Sequence, residues 1–260
     1  MFEMNGGNLS LSYQQFSHES IETVHSNIAV EAPVTLTVNG EVWLTFQCTP
    51  EEIDALAVGF LYNEGFIRKL AEIENIHVCD QKDNVDVWLN HSVKKPVSWR
   101  RTSGCHGGTS SADLEREHFV PVSDQVTLHP EQIFSLVDQF LNEQKPHSES
   151  GGVHTSALAD GITQLLQIHD IGRHNTFDKI AGRILLDNIE IKTPVLLTSG
   201  RISSDMLQKS VRMRTPFLIS MRSASQMGIS LAEKWGVTLI GGARRGRFNL
   251  FCHPERIKMK

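Results

Sequence analysis

The chain has 260 residues, of which 40% are hydrophobic and 21% are charged, an ordinary balance for a globular protein that argues against disorder. Its formal net charge of −5 argues against binding to nucleic acid or to an anionic membrane through overall charge. The first residues lack the basic start and apolar run of a signal peptide, and no apolar stretch reaches the length of a membrane span, so we expect a cytoplasmic protein.

Strands are predicted for much of the first half of the chain. Apolar residues alternate over residues 28–47, on both sides of Asn39-Gly40, a dipeptide typical of a tight hairpin turn. Residues 73–90 have the same alternation and predict a second pair of strands. We therefore expect a β-rich unit in this part of the chain.

One helix is predicted between these strand pairs. Thr49 and Glu52 form a capping-box pattern with Pro50 at the first helical position. Apolar residues then recur at helical spacing over residues 53–61, and Gly65 follows them. The helix is predicted to begin at this capping box.

Helices and strands alternate in the second half of the chain. The predicted helices lie near 129–141, 173–185, 204–213 and 225–235, and the predicted strands near 153–170, 195–198, 217–221, 237–241 and 247–253. Such alternation indicates parallel strands joined by right-handed crossovers. The order of elements resembles that of the cytidine deaminases. The predicted fold class is therefore α/β, with a cytidine deaminase-like α/β/α core and an additional N-terminal β-rich α+β subdomain.

Three regions follow from these patterns. Residues 1–27 are predicted to be an N-terminal tail. Residues 28–126 are predicted to form the β-rich subdomain, which ends in a mobile loop that contains Cys105. Residues 127–260 are predicted to form the deaminase-like core with its ligand-binding loops.

Arginines follow three successive predicted strands of the core. They are Arg201 after the first strand, Arg222 after the second, and Arg244, Arg245 and Arg247 among Gly241, Gly242, Ala243 and Gly246 after the third. Ligands of open α/β sheets bind beyond the carboxyl ends of the strands, where guanidinium groups and helix N-termini suit phosphate oxygens. These residues predict a pocket for a phosphate-bearing ligand such as a nucleotide. The alternative is that they are surface arginines on ordinary turns.

A zinc deaminase needs an H-x-E motif at the start of one helix and P-C-x-x-C at the next. Here His174 is present, but Thr176 stands in place of the glutamate, and the next helix starts without cysteine. Deaminase chemistry and a zinc site are therefore rejected. His174, beside Asp170 and Arg173, is interpreted either as a hydrogen-bonded structural residue or as a group that positions a ligand or transfers a proton.

Cys105 lies among glycines, serines and threonines that have little capacity to fill a core. Nearby Arg100 and Arg101 favour the thiolate, which is the reactive form of cysteine. Cys105 is thus either a reactive thiol on a flexible loop or an incidental thiol in a linker. The other three cysteines, Cys48, Cys79 and Cys252, lie in strand-like stretches and are interpreted as packed core or edge residues.

Seven segments between about residues 31 and 257 resemble the formate dehydrogenase accessory proteins. They are "APVTLTVNGE", "DALAVGFLYNEGFI", "RRTSGC", "SGGVHTSAL", "HDIGRHNTFDKIAGR", "LLTSGRISSDMLQKS" and "CHPERI", of which the fifth is the most specific. The resemblance implies a homodimeric sulfur carrier. Such a carrier accepts persulfide sulfur from a cysteine desulfurase and delivers it to the Mo-bis-molybdopterin guanine dinucleotide cofactor of formate dehydrogenase.

The resemblance also assigns roles to residues of this chain. Cys105 matches the first cysteine of the family's C-x-x-C loop, whereas Gly108 stands at the second cysteine position. The family's cofactor-binding stretch matches residues 242–247, the loop already selected by its arginines.

Two other functions remain open from the sequence. One is a chaperone that binds the molybdenum cofactor without transferring sulfur, which the missing second cysteine motivates. The other is a nucleotide-converting enzyme with an altered deaminase site.

Overall fold

The computed structural model describes residues 4–5, 8–96, 99–101, 109–111, 126–143 and 152–259. Its strands are β1 (Met4–Asn5), β2 (Asn8–Phe16), β3 (Ile21–Ala29), β4 (Ala32–Val38), β5 (Glu41–Cys48), β6 (Ile73–Val78), β7 (Asn84–Leu89), β8 (Trp99–Arg101), β9 (Thr109–Ser111), β10 (His154–Asp160), β11 (Thr163–Asp170), β12 (Pro194–Thr198), β13 (Phe217–Ser220), β14 (Thr238–Arg244) and β15 (Arg247–Leu250). Its helices are α1 (Ile53–Asn63), α2 (Pro130–Glu143), α3 (Arg173–Leu186), α4 (Ser204–Arg212) and α5 (Gln226–Trp235), with 3-10 turns at Leu70–Glu72 and Pro254–Arg256.

The N-terminal segment, predicted to be a tail, contains a pair of strands. β2 and β3 pair antiparallel over their full length, and the turn between them is closed by hydrogen bonds between Ser17 and Ser20. Leu9, Leu11 and Tyr13 alternate along β2, a strand period that the prediction for residues 1–27 overlooked. The boundary predicted at residue 28 therefore falls inside β3.

The two strand pairs of the first half form one four-stranded sheet, in the order β5-β4-β7-β6. The predicted hairpin turn is confirmed, because Asn39 and Gly40 have φ values of 50° and 81° between β4 and β5. The Asn39 side chain also bonds the Leu89 amide and the His91 carbonyl, which fixes this turn against the end of β7. Helix α1 packs on the sheet through one apolar cluster.

The predicted helix exists, but the predicted capping box is wrong. α1 begins at Ile53, and its N-cap is Glu52, which has a left-handed backbone and no side-chain cap bond. The Thr49 hydroxyl instead accepts a hydrogen bond from the Ile171 amide at 3.3 Å. Thr49 thus connects the first half of the chain to the second, a role that depends on a residue more than a hundred positions away.

The second half forms a six-stranded sheet in the order β11-β10-β12-β13-β14-β15. β12, β13 and β14 are parallel to one another, as the alternation of helices and strands predicted, and the other pairings are antiparallel. One apolar cluster joins the sheet to α3, α4 and α5, and another joins it to α2. The sheet is therefore a middle layer with helices on both faces.

The two halves meet where α1 crosses α3 at backbone contact distance. A Cβ atom on Gly59 would lie 1.7 Å from the Asp178 carbonyl oxygen, and one on Gly182 would lie 1.9 Å from the Ala55 carbonyl oxygen. α1 lies between the four-stranded sheet and α3, so it is buried on nearly all sides. Glycine at both positions is what allows this close approach.

A buried polar cluster lies at the same junction. Lys209 of α4 lies 2.7 Å from Asp178 of α3 and 3.5 Å from Glu64, the residue that follows α1. The Asn63 amide also donates to Asp178 at 2.8 Å. Burial raises the pKa of Asp178, an effect that the Lys209 ammonium and the Asn63 bond oppose. The facing carboxylates raise the pKa of Lys209 against the opposing effect of its burial.

Candidate functional site

The arginines predicted to cluster lie along one edge of the six-stranded sheet. β12, β13 and β14 are neighbouring parallel strands, so their carboxyl ends meet at this edge. Arg201 follows β12, Arg222 follows β13, and Arg244 ends β14. We call this edge, with the loops 199–203, 221–225 and 242–247, the strand-end edge.

The three loops of the strand-end edge are bonded to one another through backbone groups and the Ser220 hydroxyl. The Ser220 hydroxyl donates to the Gly200 carbonyl at 2.6 Å, and the Met221 amide donates to the Thr198 carbonyl at 2.9 Å. The Gly242 amide donates to the Arg222 carbonyl at 2.7 Å, and Gly242 has a φ of 62° that favours glycine. The edge is thus a connected platform rather than three independent loops.

Helix N-termini also face this edge, because α3, α4 and α5 each begin in the loop that follows a strand of the sheet. Ser225 caps α5, since its hydroxyl accepts a hydrogen bond from the Gly228 amide at 3.1 Å. Ser203 is the N-cap residue of α4 but makes no side-chain cap bond. Helix N-termini carry partial positive charge, so all three favour a bound anion.

The arginines of the strand-end edge differ in what their side chains contact. Arg201, Arg222 and Arg247 are exposed. Arg244 and Arg247 are cross-strand partners on either side of the turn at Gly246, which has a φ of 74°. Like charges directly opposite each other destabilise a strand pair, so an anion bound here would relieve their repulsion.

Two of the predicted binding arginines are engaged elsewhere, and the neighbouring Ala243 is buried. The Arg244 guanidinium donates to the carbonyls of Met221 and Ala243, which holds the end of β14 against the loop after β13. The Arg245 guanidinium donates to Asn142 of α2 at 2.6 Å, on the side of the sheet that carries α2. Ala243 is fully buried, so only its backbone is available to a ligand.

His174 lies at the predicted edge but inside the protein. It is the second residue of α3 and its side chain is 1% exposed. Burial lowers its pKa well below 6.5, and the positive charges of Arg173 and Lys209 act in the same direction. Of the two interpretations from sequence, the buried structural histidine is the one that fits these observations.

His154 and Arg173 join the strand-end edge, although sequence reasoning selected neither as a site residue. His154 begins β10, which is antiparallel to β12, so it lies where β12 ends. A Cβ on Gly200 would lie 3.2 Å from both Cβ and Cδ of Arg173, which places the Arg173 side chain against the loop after β12. Burial lowers the pKa of His154, with the charges of Arg173 and Arg222 adding to it and Asp170 opposing it. The sequence patterns did not reveal that β10 pairs antiparallel with β12, which is the pairing that brings His154 to this edge.

The buried histidines predict that the protein loses stability in mild acid. His174 stays neutral in the folded state but takes up a proton in the unfolded state below its ordinary pKa of 6.5. The unfolded state then binds more protons, so the free energy of unfolding falls as pH falls through 6.5, by up to about 1.4 kcal/mol per pH unit for one histidine. Urea denaturation at several pH values between 5 and 8 measures the slope, and His174→Gln should flatten it; an unchanged slope would contradict this assignment.

Comparison with known proteins places the chain in a family. The FdhD/NarQ family profile matches residues 29–258. A relative from Staphylococcus aureus strain MRSA252, named "Sulfur carrier protein FdhD", is 33% identical over 232 residues, which cover 87% of this chain and 88% of the relative. The protein of the same name from strain Newman is 32% identical over the same length. The chain belongs to the FdhD/NarQ family.

A solved structure agrees with this assignment. The crystal structure of a protein described as a candidate formate dehydrogenase accessory protein from Desulfotalea psychrophila superimposes with a TM-score of 0.83 at 27% identity. The match covers 97% of this chain and all of the other. The arrangement of sheets and helices described above is therefore an FdhD-type fold.

The cysteines that the structure describes in this FdhD/NarQ chain are poorly placed for sulfur exchange. Cys48 and Cys252 are buried, as predicted, and burial is the main cause that raises the pKa of Cys48 to about 12 and that of Cys252 to about 11. Cys79 is half-buried between β6 and β7, where its thiol donates to the Asp83 carboxylate at 2.9 Å. The predicted reactive Cys105 and the Gly108 that follows it lie outside the described residues.

Among the residues that the structure describes, no group of three or more His, Cys, Asp or Glu side chains is placed to hold a metal ion. Within the same ranges, no helix is long and apolar enough to cross a membrane.

Proposed function

We propose that this chain is a sulfur carrier that serves formate dehydrogenase. It takes persulfide sulfur from a cysteine desulfurase onto Cys105 and delivers it to the Mo-bis-molybdopterin guanine dinucleotide cofactor, which is its substrate. The proposal rests on membership of the FdhD/NarQ family, whose similar members are named sulfur carriers, and on the chemistry of the strand-end edge. A cytoplasmic homodimer without nucleic-acid or membrane partners is part of the proposal.

The proposed binding of the cofactor rests on the convergence of positive groups at the ends of three parallel strands. Exposed guanidinium groups, three helix N-termini and backbone amides of a glycine-containing loop face one edge, and the nearby Asp170 carboxylate is buried and paired with Lys179. Such donors match the phosphate oxygens of a guanine nucleotide end. The proposed binding residues are Arg201, Arg222, Gly242, Ala243 through its backbone, Gly246 and Arg247. Arg244, Arg245 and His174 are proposed to support the site, Arg244 and Arg245 through the bonds that they make to Met221, Ala243 and Asn142.

The proposed core is cytidine deaminase-like without deaminase chemistry. The sheet order β11-β10-β12-β13-β14, with three parallel strands and helices on both faces, supports this interpretation. At the site where a deaminase carries its proton-transferring glutamate, the Thr176 hydroxyl donates to the Arg173 carbonyl at 2.7 Å and bonds Ser156. These are structural bonds, so we propose that the fold serves binding.

Loading of the carrier is a thiol exchange without net oxidation. The Cys105 thiolate attacks the outer sulfur of a desulfurase persulfide, and the bond between that sulfur and the desulfurase cysteine breaks. The desulfurase leaves as a thiolate, and the outer sulfur stays on Cys105 with its proton. Arg100 and Arg101 favour the attacking thiolate by opposite charge.

Unloading needs two electrons, because the outer sulfur leaves as sulfide. In a two-cysteine loop the second thiol supplies them by closing a disulfide, but Gly108 stands at that position here. We propose that a thiol of the partner enzyme or a small-molecule thiol attacks the Cys105 sulfur. The sulfide then leaves toward molybdenum, and the mixed disulfide that remains on Cys105 is reduced by a further thiol.

Charge reversal at the strand-end edge tests the proposed binding. We expect Arg222→Glu combined with Arg247→Glu to raise the Kd for GDP, used as a probe of the nucleotide ends, by at least roughly 100-fold, because each of the two charge-assisted bonds contributes about 1.5–3 kcal/mol. The same variant should fail to restore formate dehydrogenase activity in cells that lack their own accessory protein. Isothermal titration calorimetry and an activity assay on cell extracts measure the two effects.

A matched control separates this effect from a change in net charge. Lys192 is exposed two residues before β12, and Arg214 is exposed three residues before β13, both at the opposite edge of the sheet. Lys192→Glu with Arg214→Glu therefore makes the same charge change away from the proposed site. The control should bind GDP like wild type and restore activity. Equal losses in both double variants would contradict binding at the strand-end edge.

A second candidate function is a cofactor-binding chaperone without sulfur transfer. Gly108 at the second cysteine position favours it, because the family's own electron source for unloading is absent. This candidate shares the nucleotide site and differs only in whether Cys105 is required.

A further inference from the structure

The Asp170 carboxylate is the centre of a buried bonding network at the junction of the two halves. One oxygen, Oδ1, accepts from the Gly172 amide and from the Asn175 side chain, both at 2.8 Å. The other oxygen, Oδ2, lies 2.6 Å from the Lys179 ammonium and accepts from the Thr49 amide at 3.2 Å. Neither the Asp170 nor the Lys179 side chain is exposed at all.

The network reaches into the first half of the chain through backbone groups. The Lys179 ammonium donates to the Thr49 carbonyl at 3.0 Å, and the Asn175 amide donates to the Gln47 carbonyl at 2.8 Å. Each bond joins α3 to the end of β5 or to the residue after it. Because a buried charge without its partner is strongly destabilising, Asp170 and Lys179 hold these groups in one arrangement.

The same carboxylate fixes parts of the strand-end edge. Asp170 ends β11 directly opposite His154, the first residue of β10. Its bond to the Gly172 amide sets the turn into α3, whose first residue, Arg173, lies against Gly200. A Cβ on Gly172 would lie 2.8 Å from the Asn175 amide nitrogen, so a side chain at position 172 would displace the Asn175 amide that bonds Asp170. Asp170 is thus linked to His154 through the pairing of β10 with β11, and to Arg173 through the turn that its carboxylate bonds.

We propose that Asp170 is a positioning residue for the strand-end edge, which it holds in register with the first half of the chain by placing His154 and Arg173. The proposal rests on the function proposed above, since it concerns the site that would bind the nucleotide ends. Asp170 itself touches no ligand, because its carboxylate is buried and fully used by protein donors. Its effect on binding is therefore indirect.

The second ion pair of the junction provides a matched control. Asp178 and Lys209 are also buried and paired at 2.7 Å, and Asn63 joins them to α1. Asp178 lies further along α3 and makes no hydrogen bond to the loops of the strand-end edge among the described residues. Asp170→Asn and Asp178→Asn thus remove the same charge from the same junction, near to and away from the edge.

The test measures ligand binding and local exchange in the full-length chain. We expect both variants to lower the urea midpoint, but only Asp170→Asn to raise the Kd for GDP, by on the order of tenfold or more, since one weakened charge-assisted bond to a phosphate costs about that factor in affinity. Hydrogen exchange of peptides covering 152–155 and 199–203, relative to one covering 32–38, should accelerate in Asp170→Asn alone. Asp170→Glu keeps the negative charge on a longer side chain. We expect this variant not to restore the wild-type Kd for GDP.

The outcomes separate this proposal from the one it rests on. Equal losses of GDP affinity in both variants, or normal affinity and exchange at the edge in a destabilised Asp170→Asn, would overturn the positioning role. If the wild type bound no GDP, the nucleotide assignment would fall. The exchange measurement would then support or overturn the positioning role by itself, because it needs no ligand.

Discussion

Cys105→Ala is expected to take up no sulfur from a cysteine desulfurase supplied with cysteine, whereas the wild-type chain should gain the mass of one sulfur atom. The reason is that the described thiols are poorly suited to attack: Cys48 and Cys252 are buried, with pKa values raised to about 12 and about 11, mainly by burial. The fraction of either that is thiolate at neutral pH is very small, and the thiolate is the nucleophile. Intact-mass measurement before and after reduction reads the result directly.

Cys79→Ala is the matched control for this experiment. Of the described cysteines, only Cys79 is not buried, and it is held between β6 and β7 by its bond to Asp83 and by the Asn84 amide, which donates to its sulfur. We expect this variant to load sulfur like wild type and to restore formate dehydrogenase activity. Equal loading of wild type and Cys105→Ala would refute the carrier role. Normal restoration of activity by Cys105→Ala would favour the chaperone.

Local patterns in the sequence predicted most of the fold. The hairpin at Asn39-Gly40, the strands near 153–170 and the alternating elements after β11 all follow from short-range periodicity and turn chemistry, and the structure contains them. Parallel pairing of β12 and β13 followed from the helix between them. The ends of these strands then located the edge where Arg201 and Arg222 lie.

Residues with distant partners could not be interpreted this way. The segment from Asp170 to Lys179 is rich in polar and charged residues, which on sequence alone indicated a ligand site. In the structure these side chains are buried and bond groups near Thr49, more than a hundred positions earlier. A polar pattern that looks like an exposed site is thus also the pattern of a buried junction, and only the tertiary partner distinguishes them.

The position of the candidate site could be predicted from the sequence, but the contacts of each side chain in it could not. Strand order brings the arginines to one edge, yet Arg244 holds a neighbouring loop and Arg245 contacts α2. Two long side chains next to each other on one turn point to different partners, and sequence does not say which. His154 was missed because a residue at the start of an antiparallel strand lies beside the ends of parallel ones.

Gly182→Ala is expected to lower the free energy of unfolding by at least about 3 kcal/mol, the upper end of the usual overpacking range. An alanine Cβ there would lie 1.9 Å from the Ala55 carbonyl oxygen and 2.6 Å from its carbonyl carbon, both backbone atoms that no rotamer change can move. α1 and α3 must separate, which also strains the bonds that Asp170, Asp178 and Lys209 make at the junction. The expected sign is opposite to that of an ordinary helix, where alanine is about 1 kcal/mol better than glycine.

Urea denaturation followed by tryptophan fluorescence measures this effect, and Gly59→Ala should reproduce it from the other helix, where the new Cβ would lie 1.7 Å from the Asp178 carbonyl oxygen. Gly161→Ala is the control, because Gly161 has a φ of 60° and a Cβ there would meet nothing within 4 Å. It should cost only the backbone strain of about 1–2 kcal/mol. If Gly182→Ala were no less stable than Gly161→Ala, the two helices would not cross at backbone contact, and the junction that aligns the two halves would be looser than described.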